Sequence, residues 1–358
     1  MKLTNIFRKR TRFYCHYPFT SVFVTIDGKV RPCCYGAPCG DLHTASLEEI
    51  WNNQAMRRKR QALLIGDLDA ADCRDCGWMQ RRDLATFPFS SDLGQTLAIK
   101  NNIEDQRNEY KKGKNLLKSL PAQAIIQLTM NCNHRCQMCF QTHTTEHLPE
   151  DILRKCLAID MTFDNIQFTG GEPFVSKWLQ SYLEDFDCSR NQMIGFSTNA
   201  SLLHRFKDKL DKVPRLLLGI SAHSGRKETY EAITQCGNWG QFVENVTWYA
   251  HERRKRRPLW NAGRLAYVVM KNNYEEIPVF LNWAAKLEMQ VMFSPVWGEN
   301  ARSQNIFEYP ELRKGLTPPD EMWRQASERI ETMPDHERQE TAMSLRYTLR
   351  KLLQGISL

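Results

Sequence analysis

The sequence predicts an α/β protein: a partial (β/α)6 TIM-like barrel, a small cysteine-rich α+β module before it and a helical tail after it. Two observations carry this prediction. Six apolar runs of strand length alternate with stretches of helical length across residues 121–298, and cysteines cluster before and at the start of that region. Strands that alternate with helices indicate parallel βαβ units, and six in sequence suit an open or partial barrel with its chemistry at the carboxyl ends of the strands.

The N-terminal module, residues 1–80, is predicted to hold a hairpin and a helix. Residues 21–26 are typical of a strand, Asp27-Gly28 is a hairpin turn signal, and Lys29 begins the return strand. A capping box follows, with Ser46 and Glu49 at its ends. The helix that it begins should have an apolar face formed by Leu47, Ile50 and Trp51. A core this thin usually needs a metal or a disulfide to stabilise it.

The next three segments are a linker, the barrel and a tail. Residues 81–120 are polar and interrupted by proline and glycine, which predicts a linker with one or two short helices. The barrel strands are predicted at 124–128, 165–168, 193–196, 216–220, 265–269 and 290–293, with helices at 149–159, 176–186 and 274–287. The helical extension, 299–358, has two apolar faces, formed by Met322, Ala326 and Ile330 and by Leu345, Leu349 and Leu352.

Composition and charge limit the class of protein. Hydrophobic residues make up 42% of the chain and charged residues 25%, which excludes a mostly disordered chain. We expect neither a transmembrane helix nor a secretory signal, because the chain has no apolar run of 18 residues and no apolar segment near Met1. A cytoplasmic location follows as an expectation, and the net charge of +8 permits an acidic partner without requiring one.

The cysteines are the most informative residues. The chain has 12, and nine of them fall in residues 15–76 and 132–139. In a chain without signs of export, clustered cysteines indicate metal or redox chemistry more than a disulfide framework. The remaining thiols, Cys156, Cys188 and Cys236, are predicted to be packed or idle.

Three cysteines follow the first barrel strand within one loop, Cys132, Cys136 and Cys139. Three thiolates on a short loop can hold three irons of a [4Fe–4S] cluster, which leaves the fourth iron open to a chelating substrate. A structural zinc site would need a fourth ligand, for which His134 or His143 is near in sequence. Unliganded thiols are the remaining alternative.

The second barrel strand runs into Gly170-Gly171-Glu172-Pro173. Two glycines let the backbone approach a ligand or turn sharply, and proline suits the start of a helix. Glu172 is therefore expected at the same end of the sheet as the cysteine loop. An ordinary βα turn is the alternative interpretation.

Together, the three cysteines and the segment Gly170–Pro173 resemble the radical S-adenosylmethionine (radical SAM) superfamily. The resemblance implies a [4Fe–4S] cluster on the three cysteines, with S-adenosylmethionine chelating the fourth iron through its amino and carboxylate groups. It also implies contacts from Gly170, Gly171, Glu172 and Pro173 to the amino group. Further cofactor contacts implied by position are Ser197, Asn199, Ser221, Asn273 and, near the adenine, Met138.

Two positions depart from the pattern of that superfamily. The residue before the third cysteine, often aromatic in the family, is Met138, and a Ser-x-Asp segment is replaced by Ser221-Ala222-His223. Substrate contacts are therefore expected to differ near His223, which is either a hydrogen-bonded structural residue or a proton-transfer group.

The N-terminal cysteines are predicted to converge on one metal site. Cys15, the pair Cys33-Cys34 and Cys73-x-x-Cys76 have spacings that zinc sites and iron–sulfur sites share. Together with Asp27–Arg31 and the Ser46–Trp51 helix, the pattern resembles the SPASM/twitch module of radical SAM enzymes. This resemblance implies a second [4Fe–4S] cluster on Cys15, Cys33, Cys73 and Cys76, with Cys34 as alternative to Cys33 and Cys39 as a spare. Such modules usually follow the barrel, and this one precedes it.

The two resemblances imply a radical enzyme. Reductive cleavage of S-adenosylmethionine would give a 5′-deoxyadenosyl radical that abstracts hydrogen from a peptide or a small molecule. The auxiliary cluster would aid electron transfer or substrate binding, and flavodoxin or ferredoxin would be the reductant. No catalytic residue is singled out. The alternatives are an RNA-modifying radical enzyme, in view of the basic runs 57–60 and 253–257, and a non-catalytic metal-binding or electron-transfer protein.

Overall fold

The computed structural model describes residues 15–74, 76, 94–256 and 263–354. The chain divides into two compact units. The first comprises Met1–Gln127, Leu148–Gln167 and Ser189–Gln192, and the second comprises Leu128–His147, Phe168–Cys188 and Met193–Leu358. Within the described residues, no helix combines the length and apolar character needed to span a membrane.

The first unit contains the hairpin module and the start of the barrel region. Its elements are α1 (Tyr17–Thr20), β1 (Ser21–Val24), β2 (Lys29–Arg31), β3 (Gly40–Asp41), α2 (Leu47–Trp51), α3 (Gln54–Ile65), α4 (Leu97–Lys111), most of β4 (Gln123–Thr129), α5 (Glu150–Leu157) and the first half of β5 (Asn165–Gly170). The strand order is β3-β2-β1-β4.

The predicted hairpin is confirmed. Strand β1 pairs antiparallel with β2, with Phe23 opposite Arg31 and Val24 opposite Val30. Gly28 has a φ of +74°, the left-handed conformation that glycine adopts without a steric penalty. On its other side β1 pairs in parallel with β4, with Ser21 opposite Gln123. The hairpin therefore continues the sheet of the first barrel strand.

The predicted helix after the hairpin is also confirmed. Ser46 caps α2 through the backbone N–H of Glu49, and the Glu49 side chain accepts a hydrogen bond from the Ser46 N–H. Its buried residues are Leu47, Ile50 and Trp51, the predicted apolar face. In the region predicted as a linker with short helices, α4 is 15 residues long and buries Ile99, Ile103 and Tyr110. The domain boundaries at 80, 120 and 298 stay a prediction.

The second unit contains parallel βα units and the helical tail. Its elements are the end of β4, the end of β5, α6 (Lys177–Glu184), β6 (Met193–Thr198), α7 (Lys207–Leu210), β7 (Arg215–Ser221), α8 (Lys227–Thr234), α9 (Trp239–Lys255), β8 (Arg264–Val269), α10 (Ile277–Lys286), β9 (Gln290–Pro295), α11 (Pro319–Ile330) and α12 (Asp335–Gln354). Strands β6, β7, β8 and β9 are neighbours in that order, and all three pairings are parallel. All six predicted barrel strands are present, and the predicted fold class is confirmed.

The tail packs on the last strand. Thr341 and Ser344 of α12 accept hydrogen bonds from the backbone N–H groups of Val291 and Phe293 on β9, at 2.9 and 3.2 Å. The two hydroxyl groups thus satisfy backbone donors that a strand at the end of the order would leave unpaired. Every residue of the two predicted apolar faces is buried: Met322, Ala326, Ile330, Leu345, Leu349 and Leu352.

Candidate iron–sulfur sites

The loop with three cysteines is held on both sides of its middle thiol. The backbone N–H groups of Arg135 and Gln137 donate to the carbonyls of Thr234 and Ile233, each at 3.0 Å. These carbonyls lie at the end of α8. Cys136 therefore has a fixed backbone position between two hydrogen bonds.

The three thiols of this loop influence one another electrostatically. Burial raises the pKa of the Cys136 thiol to about 12, and negative charge on Cys132 and Cys139 adds to the shift. Burial also raises the pKa of Cys132. A thiol releases its proton when it binds a metal, so the loop fits a cluster whose irons would neutralise the charge of its thiolates.

A pocket of about 250 Å³ opens on this loop. It is lined by Arg135, Cys136, Cys139, Gln141 and His143. His143 Nε2 lies 3.2 Å from Cys139 Sγ, and His143 Nδ1 lies 3.1 Å from an Arg135 guanidinium nitrogen. Burial, and secondly the charge of Arg135, lowers the pKa of His143.

The two glycines after β5 allow a close approach of backbone to backbone. The N–H of Gly171 donates to Thr129 O at 2.7 Å, and the N–H of Glu172 donates to Asn131 O at 2.8 Å. A Cβ on Gly170, whose φ is +140°, would lie 2.2 Å from Thr129 O, and a Cβ on Gly171 would lie 2.2 Å from Asn131 O. Only glycine fits, and the predicted turn therefore abuts the residues that lead into the cysteine loop.

Glu172 is completely buried beside β6. Its carboxylate accepts hydrogen bonds from the Thr198 hydroxyl at 2.7 Å, the Asn199 N–H at 2.7 Å and the Phe174 N–H at 3.2 Å. Burial raises the pKa of Glu172 to about 7, against the opposing effect of these donors. Pro173, also buried, begins the 3₁₀ turn Pro173–Val175.

Asn199 connects this carboxylate to the first cysteine. Its side-chain amide lies 3.8 Å from Cys132 Sγ and donates to Asn133 Oδ1 at 2.9 Å. The structure thus brings Glu172, Asn199 and the cysteine loop together. Ser197, by contrast, is exposed on β6, while Ser221 at the end of β7 and Met138 in the loop are half-buried.

Asn273 and His223 form a structural pair. The Asn273 amide donates to His223 O at 2.8 Å and to Val268 O at 2.9 Å, and its oxygen accepts from the Met270 N–H at 2.7 Å. His223 Nδ1 accepts from the Val268 N–H at 3.1 Å, and burial lowers the pKa of His223 to about 4. These contacts support the structural alternative for His223. The side-chain amide of Asn273 is therefore hydrogen-bonded to backbone groups of the protein itself.

Two residues near the triad, Tyr230 and Cys236, were not singled out by the sequence as neighbours of a site, whereas His134 was considered as a zinc ligand. His134 is buried edge-on against the Tyr230 ring, with 6.5 Å between centroids. Cys236, predicted to be idle, lies close enough to raise the pKa of Cys136, as the smallest of the contributions. Tyr230 lies in α8 and Cys236 just after it, so both depend on the approach of α8 to the loop, for which the local sequence carries no signal.

The N-terminal thiols gather within the first unit. Burial raises the pKa of Cys15 to about 12, and Cys33, Cys73 and Cys76 each add to the shift. Cys73 responds in the same way to Cys33 and Cys76 after the larger effect of its burial. Cys15 and Cys73 pack against an apolar cluster formed by Phe19, Ala62, Leu63, Leu64, Ala71 and Tyr110. The four predicted ligands are therefore close together and partly shielded from water.

The same electrostatic contacts favour Cys33 over its neighbour Cys34 as the fourth thiol of this set. Cys33 influences the thiols of Cys15, Cys39 and Cys73, and its Sγ accepts a hydrogen bond from the Gly36 N–H at 3.2 Å. Cys34 is exposed. Cys33 is the better-placed fourth thiol, and Cys39, which is buried and donates to Ala37 O, fits the role of a spare.

Neither thiol set has the arrangement of a single-ion site. Among the residues that the structure describes, no three Cys, His, Asp or Glu side chains converge as ligands of one metal ion. In a [4Fe–4S] cluster each cysteine binds a different iron, so its ligands surround the cluster rather than meet at one point. Two sets of mutually interacting thiols fit this description.

Two groups of neighbouring thiols, one of them on the loop after a parallel strand, define an α/β protein with two candidate metal-cluster sites. Two known protein families match parts of the chain and indicate which cofactors these sites hold. Residues 126–284 match the radical SAM superfamily and residues 15–77 match SPASM, an iron-sulfur cluster-binding domain. The chain thus contains a match to a radical SAM domain and a match to a SPASM domain, with the SPASM domain on the N-terminal side, as predicted. These domains imply a [4Fe–4S] cluster, S-adenosylmethionine and an auxiliary iron–sulfur cluster, which confirms the predicted cofactors.

Curated relatives are similar to part of the chain. The GTP 3′,8-cyclase of Thermodesulfovibrio yellowstonii is 30% identical over 200 residues, which cover 51% of this chain and 59% of the relative. The GTP 3′,8-cyclase of Hydrogenovibrio crunogenus is 27% identical over 179 residues, covering 47% and 52%. Molybdenum cofactor biosynthesis protein 1 of Dictyostelium discoideum is 31% identical over 130 residues, covering 34% and 21%. The chain thus spans about half, or less, of the length of these relatives.

Two solved structures are similar to part of this chain. Streptococcus suis SuiB bound to S-adenosylmethionine has 14% identity and a TM-score of 0.42, over 82% of this chain and 67% of that chain. Native anSMEcpe with bound AdoMet and Cp18Cys peptide has 16% identity and a TM-score of 0.40, over 57% of each chain.

Proposed function

We propose that this protein is a radical SAM enzyme that cleaves S-adenosylmethionine reductively and uses the product radical to abstract hydrogen from a substrate. The observation that carries the proposal is the loop of Cys132, Cys136 and Cys139, with mutually interacting thiols beside Asn199. Three cysteines leave one iron of a [4Fe–4S] cluster without a protein ligand. A purely structural or electron-carrying cluster has no use for that open position.

Cys132, Cys136 and Cys139 would hold the cluster, which would supply the electron for reductive cleavage of S-adenosylmethionine to methionine and a 5′-deoxyadenosyl radical. The protein holds the cysteine loop through the carbonyls at the end of α8. Glu172 fixes the position of Asn199 by accepting a hydrogen bond from its backbone N–H, so the Asn199 amide stays beside Cys132. The two glycines let the βα turn lie directly against the cysteine loop, where a bound amino acid group would contact backbone atoms.

The substrate is proposed to be a peptide or a small molecule. The curated relatives are named GTP 3′,8-cyclase, so GTP is the first small molecule to test. In the N-terminal module, Cys15, Cys33, Cys73 and Cys76 would hold an auxiliary [4Fe–4S] cluster that aids electron transfer or substrate binding. A ferredoxin or flavodoxin would supply the electron, and the reaction would take place in the cytoplasm.

An RNA substrate has less support from the structure. The basic run 57–60 contains Lys59 and Arg60, and both are buried. The run 253–257 begins with Arg253, which is completely buried and lies 3.4 Å from Glu337. Runs that are partly internal do not form the exposed basic stripe that nucleic acid binding uses.

Anaerobic assay tests the proposal. The full chain, reconstituted with iron and sulfide, is incubated with S-adenosylmethionine and dithionite, and 5′-deoxyadenosine is measured by liquid chromatography and mass spectrometry. We expect 5′-deoxyadenosine from the native protein and none from Cys132→Ala, which removes one cluster ligand. An iron-loaded native protein that forms no 5′-deoxyadenosine would contradict the proposal and favour a non-catalytic metal-binding protein.

The same assay identifies the substrate class. Deuterium-labelled GTP, or a labelled peptide library, is added, and 5′-deoxyadenosine is examined for deuterium. Transfer of deuterium from a C–D bond into 5′-deoxyadenosine identifies the molecule from which hydrogen is abstracted. Transfer from neither class would remove both from the proposal.

A further inference from the structure

His143 lies between a permanent cation and a cysteine of the triad. Its Nδ1 is 3.1 Å from Nη1 of Arg135, and its Nε2 is 3.2 Å from Sγ of Cys139. Both contacts are within hydrogen-bond distance, and both partners belong to the same loop as His143. The histidine is half-buried in the wall of the pocket beside the cysteines.

The Arg135 contact determines which nitrogen of His143 carries the proton. A guanidinium group has only donors and stays charged in proteins. Nδ1 of His143 must therefore accept the hydrogen bond through its lone pair. In a neutral imidazole the single proton is then on Nε2, the nitrogen that faces Cys139.

Arg135 is itself held in place. The two N–H groups of its Nη1 are shared between Nδ1 of His143 and the carbonyls of Cys132, at 2.5 Å, and His134, at 2.9 Å. On the other side, Asn300 donates from Nδ2 to the carbonyl of Cys139 at 3.0 Å. The donor, the histidine and the thiol are thus fixed relative to one another by the backbone of the loop that carries them.

We propose that His143 is a positioning residue that donates an Nε2–H hydrogen bond to the Cys139 sulfur and makes the cluster easier to reduce. The proposal rests on the proposed function, in which Cys139 is a cluster ligand. Hydrogen bonds to the sulfurs of an iron–sulfur cluster stabilise its more negative reduced state and so raise its reduction potential. Arg135 contributes by keeping the proton of His143 on Nε2.

The same geometry bears on the zinc alternative for this loop. A histidine that coordinates zinc uses the lone pair of one ring nitrogen. In the tautomer inferred for His143, the lone pair of Nδ1 faces Arg135 at 3.1 Å and the proton is on Nε2. The arrangement therefore gives His143 the role of a donor to a cysteine ligand and not that of a fourth metal ligand.

The first test compares the cluster's reduction potential in three full-length, reconstituted variants. His143→Phe keeps a planar ring without a donor, His143→Gln keeps an N–H donor, and His336→Phe changes an exposed histidine in α12 as the control. Redox titration followed by electron paramagnetic resonance should give a more negative midpoint for His143→Phe and a smaller shift for His143→Gln. The control should match the native protein. An unchanged midpoint in iron-loaded His143→Phe overturns the proposal.

A second measurement remains informative where His143→Phe fails to bind iron. In metal-free protein, the ¹⁵N chemical shifts of the His143 ring report which nitrogen is protonated. We expect the Nε2–H form in the native protein and a mixture of both forms in Arg135→Gln. An Nδ1–H form in the native protein contradicts the inference. Neither measurement depends on cleavage of S-adenosylmethionine. The His143 proposal and the proposed function can therefore be tested independently of each other.

Discussion

Arg60 is a buried cation that anchors the segment following Cys15. Its Nε donates to the carbonyl of Pro18 at 2.7 Å, and its Nη1 donates to Asn52 Oδ1 and Asn115 O, each at 3.1 Å. The guanidinium also lies over the Trp51 ring, 4.2 Å from the centroid. Burial lowers the pKa of Arg60 to about 9, which reflects the cost of holding a charge where little water reaches it.

We expect Arg60→Lys to destabilise the protein. A lysine ammonium cannot reproduce the planar fork that reaches three oxygens and stacks on an indole ring, so at least one buried acceptor loses its partner. The expected cost is about 2 kcal/mol, measured as a lower urea midpoint. Arg57→Lys, an exposed change in the same helix, is the matched control. Equal midpoints for the two variants would show that the guanidinium geometry is not required.

The turn after β5 packs closely against the backbone at the end of β4. The N–H groups of Gly171 and Glu172 donate to the carbonyls of Thr129, the last residue of β4, and Asn131, two residues beyond it. The separation of the two backbones leaves no volume for a side chain, since a Cβ on Gly171 would meet Asn131 O at 2.2 Å. The turn and the start of the cysteine loop are therefore one packed unit of local structure.

Gly171→Ala should disrupt this element. The added methyl group must displace Asn131 O and with it the hydrogen bond to the Glu172 N–H, at an expected cost of about 3 kcal/mol. Gly219→Ala in β7 is the matched control, because its Cβ would meet nothing closer than 3.6 Å. Thermal unfolding should give a clearly lower midpoint for Gly171→Ala than for Gly219→Ala. Similar midpoints would mean that the loop relaxes at little cost.

Elements with a local signal were predicted well from the sequence. The Asp27-Gly28 turn and the Ser46 capping box each depend on residues a few positions apart, and both are present. The parallel pairing of β1 with β4 was not predicted, because it joins segments about 100 residues apart and no local pattern encodes it. The length of α4 was missed for a similar reason, since its apolar face is defined by partners elsewhere in the first unit.

In the candidate site, too, the sequence indicated some residues and could not indicate the position of others. Cysteine spacing and the glycine pair indicated the residues that approach each other at the ends of β4 and β5, because metal ligation and close backbone contact restrict residue type strongly. His143 was noted from the sequence only as a possible zinc ligand. Its position between Arg135 and Cys139 depends on the conformation of the loop, which the spacing of the cysteines leaves open.

At the scale of the whole molecule, each thiol set lies within one compact unit. Cys15, Cys33, Cys73 and Cys76 belong to the first unit. The triad of Cys132, Cys136 and Cys139 belongs to the second. The thiols of each set are half-buried and belong to a single unit, so loss of one cluster is expected to leave the ligands of the other in place.

Two alanine variants test this independence. Cys136→Ala should lose one cluster, about four of roughly eight iron atoms, and all cleavage of S-adenosylmethionine. Cys73→Ala should lose a similar amount of iron but keep some cleavage that is uncoupled from the substrate, because the triad remains complete. Iron analysis and the 5′-deoxyadenosine assay measure both effects, with Cys188→Ser, at a thiol outside both sets, as the control. Full iron content in Cys73→Ala would exclude an N-terminal cluster on the four predicted ligands, and loss of all iron in either variant would show that the two clusters assemble together.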